Sequence, residues 1–412
     1  MSADSLLSQA LRAGGSGGGE AAPPGTGTRL VHAGRDPMRY HGFVNTPVFR
    51  ASTVLSPTVR DLLGRTQPYI YGRRGTPTSE ALERALCELE GGAGVVLCPS
   101  GLSACTLALL SCLEPGDHVL VTDAVYGPVR HACEGLLKRL GIDVSYFPPG
   151  TGAELGDWVR GNTRALYLES PGSHSMEVQD VPALAGLARD RGLRVIADCS
   201  WATPLHFQAH AAGVDLVIQA GTKYLLGHSD GMLGTVSASP QAWPALKALH
   251  GDLGLCAGPD EIFLALRGLR SLQVRMKQHE QGALAVARWL QQQEEVARVL
   301  HPALEGSPGH ALWKRDFTGA SGLFTVVLKP VPFAAVEALL DGLQLFGLGY
   351  SWGGYESLAL PLDASEGRLR ALCEPGCQCV RLHIGLEDPQ DLIADLRAGL
   401  DRMQAVDMDS LL

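Results

Sequence analysis

Between residues 95 and about 235, short Val/Ile/Leu runs alternate with segments whose apolar positions recur at helical spacing. The runs at 95–97, 119–122, 144–147, 165–168, 193–197 and 216–219 are short and continuously apolar, as strands buried on both faces must be. The segments at 102–113, 129–140 and 181–191 carry the helical period instead. Repeated β-α units of this kind predict a mainly parallel sheet with helices on both faces. Past residue 258 the pattern changes: an amphipathic stretch at 261–300, with a Leu, Val and Ala stripe for packing, predicts a long connecting helix. Strand-like runs at 323–328 and 380–385, with helical patterns at 333–343 and 389–403, then predict a smaller α/β domain.

What the pattern omits also narrows the choice. No GxGxxG turn joins a strand to a helix, and the one glycine-dense run, at 14–19, lies in a polar tail, so a dinucleotide cofactor is disfavoured. No uninterrupted apolar stretch approaches the roughly 18 to 20 residues of a membrane span. A length of 412 residues favours two domains, and 45% hydrophobic residues suit a globular enzyme. The net charge of -9, without a compact Lys/Arg block, argues against a nucleic-acid partner. Ten cysteines are scattered through apolar segments and read mostly as small core residues. Cys373, Cys377 and Cys379 include no CxxC pair and no matching His spacing, so no metal site is expected. Residues 1–27 are rich in Gly and Pro and lack the apolar region of a signal peptide, which predicts a disordered tail on a cytoplasmic protein.

The candidate chemistry centres on the run Gln219-Ala220-Gly221-Thr222-Lys223-Tyr224, which sets one lysine among small and hydroxyl residues just after an apolar strand. The strand at 193–197 delivers Asp198 at its C-terminal end, where α/β sheets present ligand-binding groups. An amine that can anchor an aldehyde, and a carboxylate to face a pyridine nitrogen, are the two fixtures that pyridoxal phosphate (PLP) requires. The alternatives are a solvated surface lysine and a helix-capping aspartate before Trp201. Gly101 and Leu102 open a helix directly after a strand, so their N–H groups can face a phosphate. Arg381 alternates with apolar residues on a strand and offers the rigid fork that a carboxylate takes up.

These residues resemble the PLP-dependent enzymes of cysteine and methionine metabolism, the cystathionine lyase and synthase group, from about Thr28 to the C-terminus. The resemblance rests on Tyr71-Gly72-Arg73-Arg74-Gly75-Thr76-Pro77-Thr78, Ser100-Gly101-Leu102, Glu169-Ser170-Pro171-Gly172 and Asp198-Cys199-Ser200-Trp201-Ala202-Thr203-Pro204. It implies a fold-type I architecture: a large domain with a mainly parallel seven-stranded sheet at 66–258, a smaller C-terminal α/β domain at 259–412, and an arm at 28–65 that contributes to a neighbouring subunit.

The same resemblance assigns roles. Lys223 is the cofactor's anchor and catalytic base, Asp198 the partner of the ring nitrogen, and Tyr126 the stacking ring and possible proton carrier. Gly101, Leu102, Thr222 and Ser200 join the cofactor contacts, with Tyr71 and Arg73 reaching the phosphate of the adjacent subunit's site. The resemblance also implies a homotetramer of two active dimers. Arg381 binds the substrate α-carboxylate with help from Ser351, and Trp352 narrows the pocket. Four positions depart from the family's habit: Cys199, Ser200, Ala220 and Ser173 stand where relatives commonly carry Asn, Thr, Ser and Asn, and Ser200 keeps the hydroxyl.

The loop Tyr350-Ser351-Trp352-Gly353-Gly354-Tyr355-Glu356-Ser357 resembles the form common in bacterial cystathionine β-lyases. It implies β-elimination of L-cystathionine to homocysteine, pyruvate and ammonia. The rivals are γ-cleavage or γ-replacement, a broader cysteine S-conjugate β-lyase, and a PLP-binding regulator without turnover.

Overall fold

The computed structural model describes residues 24–365 and 367–406. Most of the tail expected at 1–27 lies outside them, and where the description begins a helix, Thr26–His32, already takes in Thr26 and Gly27.

Seven strands form the larger sheet: β1 (Gly94–Cys98), β2 (His118–Thr122), β3 (Asp143–Phe147), β4 (Thr163–Glu169), β5 (Arg194–Asp198), β6 (Leu216–Gln219) and β7 (Gly234–Ala238), in the spatial order β1-β7-β6-β5-β4-β2-β3. Every pairing is parallel except those of β7, which runs antiparallel to both β1 and β6. Successive residues of β4 serve opposite faces. Leu166 and Leu168 join Val195, Ala197 and Leu184 on one side, while Ala165 and Tyr167 join Ile196, Ile218 and Leu107 on the other. Each fully buried side chain of this kind contributes ~1.5–3 kcal/mol, so the register that delivers the strand ends is firmly held.

The second sheet, β8 (Val296–Leu300), β9 (Leu323–Leu328), β10 (Gly347–Leu348), β11 (Leu358–Leu362) and β12 (Gln378–His383), has the order β10-β11-β12-β9-β8. Its core joins Phe324, Val326, Val380 and Leu382 to Leu339, Leu396 and Leu400 of the helices Phe333–Asp341 and Pro389–Gln404. The long helix Pro259–Leu290 packs Ile262, Leu266, Leu269 and Met276 against Leu82, Leu86 and Leu89 of the helix Pro77–Glu90.

Two helical expectations need correction. The helix expected across 261–300 stops at Leu290, and Val296–Leu300 pairs antiparallel with β9 instead. A neighbouring strand offers Val296, Val299 and Leu300 a buried edge, and this tertiary pairing overrides the local period. The helix expected at 129–140 is split into Gly127–Ala132 and a π-turn, Cys133–Leu137.

Among the described residues, no helix is long and apolar enough to cross a membrane, and no group of three or more His, Cys, Asp or Glu is arranged to hold a metal ion. Cys373 and Cys379 lie Sγ to Sγ at 3.3 Å, and all ten thiols are unbridged.

Candidate active site

Three parallel strands place their C-terminal ends side by side. In register, Glu169 of β4 lies opposite Asp198 of β5, and Asp198 lies opposite Ile218 of β6. Beyond β6 the chain turns through Ala220, whose carbonyl accepts the Lys223 N–H at 2.9 Å, so the lysine follows the strand end directly.

Lys223 leads into the protein, not outward. Its Nζ donates to Ser351 Oγ at 2.5 Å and lies 5.1 Å from the centre of the Trp352 ring. Burial pushes its pKa down to about 8, the positive charge of Arg381 adds to the depression, and Asp198 opposes it. Arg381, from β12, approaches the same serine from its other side and donates from Nη2 to the Ser351 carbonyl at 2.9 Å. Burial lowers the Arg381 guanidinium to about 10, and the Tyr126 and Tyr350 phenols oppose that shift. Ser351 itself adopts a left-handed backbone, φ 80°, an uncommon conformation for a residue with a side chain.

Asp198 is set from below and behind. Its Oδ1 accepts the Ser200 N–H at 2.9 Å, and Cys105 Sγ donates to Oδ2 at 3.7 Å. Ser200 Oγ takes the Ala220 N–H at 2.6 Å, which ties the aspartate turn to the lysine turn. Burial raises the Asp198 pKa, while Ser200, Cys105 and Lys223 favour its charged form. Glu169 is pushed well above the usual carboxylate range, by burial first and by the Asp198 charge second. Of the two neighbouring carboxyls, Asp198 has more donors and the nearby cation, which favours the charge on Asp198 over Glu169. Glu169 Oε2 also accepts the Tyr126 N–H at 2.7 Å, fixing the start of the helix that follows that tyrosine. Tyr126 remains 43% exposed, so its ring is available to a ligand.

The helix Gly101–Leu110 begins beside this cluster. Its N-cap, Ser100, takes the Ser103 N–H at 3.2 Å and leaves the N–H groups of Gly101 and Leu102 at the helix mouth. Gly101 has to be glycine here: a Cβ would come within 2.8 Å of the Ala220 methyl.

Thr222 is less free than its residue type suggests. The Thr222 hydroxyl donates to Leu233 O at 3.1 Å and accepts the Leu233 N–H at 3.0 Å, so its one proton is committed to main chain and is not free for a phosphate. Tyr71 and Arg73 are not brought to Lys223 within this chain. They line a separate cavity of about 870 Å³ with Arg74, Trp243, Lys247 and His250, where Arg73 Nη1 donates to Gly251 O at 3.2 Å. Cys199 turns into the core, 2% exposed, and takes no part in the site.

Several residues escaped the sequence reading. Cys105 lies one helical turn beyond Gly101, a spacing that could have drawn attention to it. Glu169 was visible only as part of a motif. His174, left-handed at φ 61° and with Nδ1 unpartnered among the described residues, is held down to about 4 by burial and by the Arg381 charge; no local pattern signals it.

A planar molecule with a phosphate at one end, an aldehyde in the middle and a basic ring nitrogen needs an anion-binding helix mouth, an amine and a carboxylate. Gly101, Lys223 and Asp198 supply these from the ends of β1, β6 and β5, and Ala220 touches or bonds all three neighbourhoods. The donor set fits PLP. This sheet with this lysine and carboxylate defines the fold-type I class of PLP-dependent enzymes.

Within that class, the chain belongs to the Cys/Met metabolism PLP-dependent enzyme family, whose model matches residues 27–401. It is 49% identical over 386 residues to a putative cystathionine beta-lyase of Rhizobium johnstonii, covering 93% of this chain and 97% of the relative. It is 43% identical over 390 residues to the cystathionine beta-lyase of Salmonella typhimurium, covering 91% and 98% respectively. Among solved structures it resembles the cystathionine gamma synthase of Xanthomonas oryzae pv. oryzae in complex with aminoacrylate and cysteine, with TM-score 0.86, 32% identity and coverage of 93% of this chain and 100% of that one.

Proposed function

We propose that this protein is a cystathionine β-lyase that splits L-cystathionine into homocysteine, pyruvate and ammonia. The observation that carries the reading is the meeting of Lys223, Arg381 and the Trp352 ring at one serine, Ser351, which places a base beside a carboxylate clamp in a pocket narrowed by an indole.

Lys223, Asp198, Ser200, Tyr126 and the helix mouth at Gly101 and Leu102 would hold the cofactor. Bound there, PLP supplies an electron sink beside the substrate Cα. Arg381 grips the α-carboxylate, helped by Ser351, and so turns the Cα–H bond toward Lys223 Nζ. Burial and the Arg381 charge, which lower the lysine to about 8, favour the neutral amine that takes that proton. The same Nζ, now charged, returns a proton to the departing sulfur. Asp198 would keep the cofactor's ring nitrogen protonated, and the exposed Tyr126 ring would offer it an aromatic face.

The separation of Tyr71 and Arg73 from Lys223 supports sharing of the site between subunits. So does the apolar surface of the arm, where Leu55 is 85% and Leu63 78% exposed. We infer that the arm at 28–65 docks on a second copy, that 66–258 forms the cofactor-binding domain and 259–412 the smaller one, and that two such dimers make a cytoplasmic tetramer.

The resemblance to a γ-synthase structure keeps γ-cleavage as the second reading. Incubation of the holoenzyme with L-cystathionine separates the two, with Lys223→Ala as control. Pyruvate with homocysteine supports the β cut, and 2-oxobutyrate with cysteine overturns it.

A further inference from the structure

The loop that brings Ser351 to Lys223 belongs to no helix or strand from 350 to 357. Gly353 in this loop lies flat on the Lys223 main chain. At its φ of 89°, a Cβ would come 2.9 Å from the Lys223 carbonyl carbon and 3.0 Å from its Cα. What holds Gly353 down is a histidine: its N–H donates to His383 Nε2 at 3.0 Å. The other ring nitrogen, Nδ1, lies 3.1 Å from the Glu356 carbonyl. A carbonyl only accepts, so Nδ1 carries the proton and Nε2 presents its lone pair to Gly353.

The surroundings keep that tautomer. His383 is 1% exposed. His279 of the long helix faces it at 5.3 Å between ring centres, and Tyr224, after β6, at 6.0 Å. Arg381 on its own strand and Lys223 across the site are positive, and Glu356 turns its carbonyl to the ring while its carboxylate accepts the Ser229 hydroxyl. Burial, His279 and the two cations all oppose a second proton, and only the Glu356 hydrogen bond favours it.

We propose that His383 is a positioning residue of the active site, whose neutral Nδ1–H tautomer pins the loop at 351–353 so that a single serine meets both Lys223 and Arg381. Without the pin, Gly353 lifts from the lysine, Ser351 leaves Nζ, and water reaches the amine. The lysine then moves back toward the ordinary range of its kind, and the carboxylate clamp loses its register. The inference rests on the reading of Lys223, Ser351 and Arg381 as one site.

The test has two readouts, one of them independent of which bond is cut. The first is competitive acylation of Lys223 against pH in the full-length protein freed of cofactor, followed by peptide mass spectrometry. The second is steady-state kinetics of the holoenzyme. His383→Leu should raise the Lys223 midpoint by about one pH unit and KM about tenfold, with a fall in kcat comparable to that expected on loss of the Ser351 hydroxyl. His383→Gln, which keeps an acceptor at the ε position, should stay within about threefold of the parent KM with an unshifted midpoint. Should His383→Leu not fold, His383→Asn, whose amide falls short of Gly353, should give the changes expected of the leucine variant. A leucine or asparagine variant with lower thermal stability but parental KM and midpoint would overturn the proposal, as would a glutamine variant that behaves like them. If the labelling shifts and cystathionine is not cleaved at Cβ, His383 keeps its role and the proposed reaction fails.

Discussion

Lys223 and Ser351 are 128 residues apart in the chain, yet the lysine Nζ donates to the serine hydroxyl at 2.5 Å. The same serine receives Arg381 at its carbonyl. Base, clamp and loop thus meet on one residue with a left-handed backbone.

Removing only the hydroxyl separates these two attachments. Ser351→Ala keeps the carbonyl that Arg381 uses and loses the partner of Nζ, so kcat/KM is expected to fall about tenfold, the worth of one charge-assisted hydrogen bond. Most of the loss should be in kcat. Steady-state kinetics on cystathionine checks this, and a loss confined to KM would contradict it.

Arg381→Lys tests the clamp by geometry while preserving charge. A lysine provides a point charge in place of a planar two-pronged donor and does not reach the Ser351 carbonyl in the same way. KM is expected to rise roughly a hundredfold, about 3 kcal/mol of lost carboxylate recognition, while the visible absorbance of the bound cofactor stays unchanged. An unaltered KM would remove Arg381 from substrate binding.

Gly353→Ala tests the packing of the loop on the lysine. The added carbon would fall 2.9 Å from main chain, not from a flexible side-chain end, at φ 89°. A destabilisation of about 1–3 kcal/mol and weakened cofactor retention are expected, read by thermal unfolding and by absorbance after gel filtration. Retention equal to the parent would show that the loop has room.

Much of this site could be read along the chain. Lys223 and Asp198 sit just past or at the ends of short apolar strands, and Arg381 alternates with buried neighbours, so each has a local signature. Glu169, Cys105 and His383 matter through partners 43, 93 and 30 positions away, and no period encodes such meetings. The misread at 296–300 has the same origin: Val296 and Val299 fit a helical stripe, and only the presence of β9 makes them a strand. Thr222 shows the converse, since its residue type suits a phosphate while its hydroxyl is already taken by Leu233.

Another buried carboxyl, outside the site, gives a pH-dependent expectation. Glu90, 4% exposed at the end of its helix, has neither oxygen bonded among the described residues, although Ser237 and Gln219 lie close. Burial pushes it from 4.5 up to about 8. Between those two values the folded protein keeps a proton that the unfolded chain gives up, so this group's contribution is complete at low pH and declines as pH rises, by at most about 1.4 kcal/mol per unit. Glu90→Gln should therefore unfold at a higher urea concentration than the parent at pH 8, with the gap closing toward pH 5. A gap that does not vary with pH would contradict this.

Borohydride reduction of the freshly purified holoenzyme, followed by peptide mapping, tests the central claim most directly. The pyridoxyl mass is expected on Lys223 and on no other lysine. A label on Lys247 or another lysine, or none on a protein that retains its cofactor, would contradict the account.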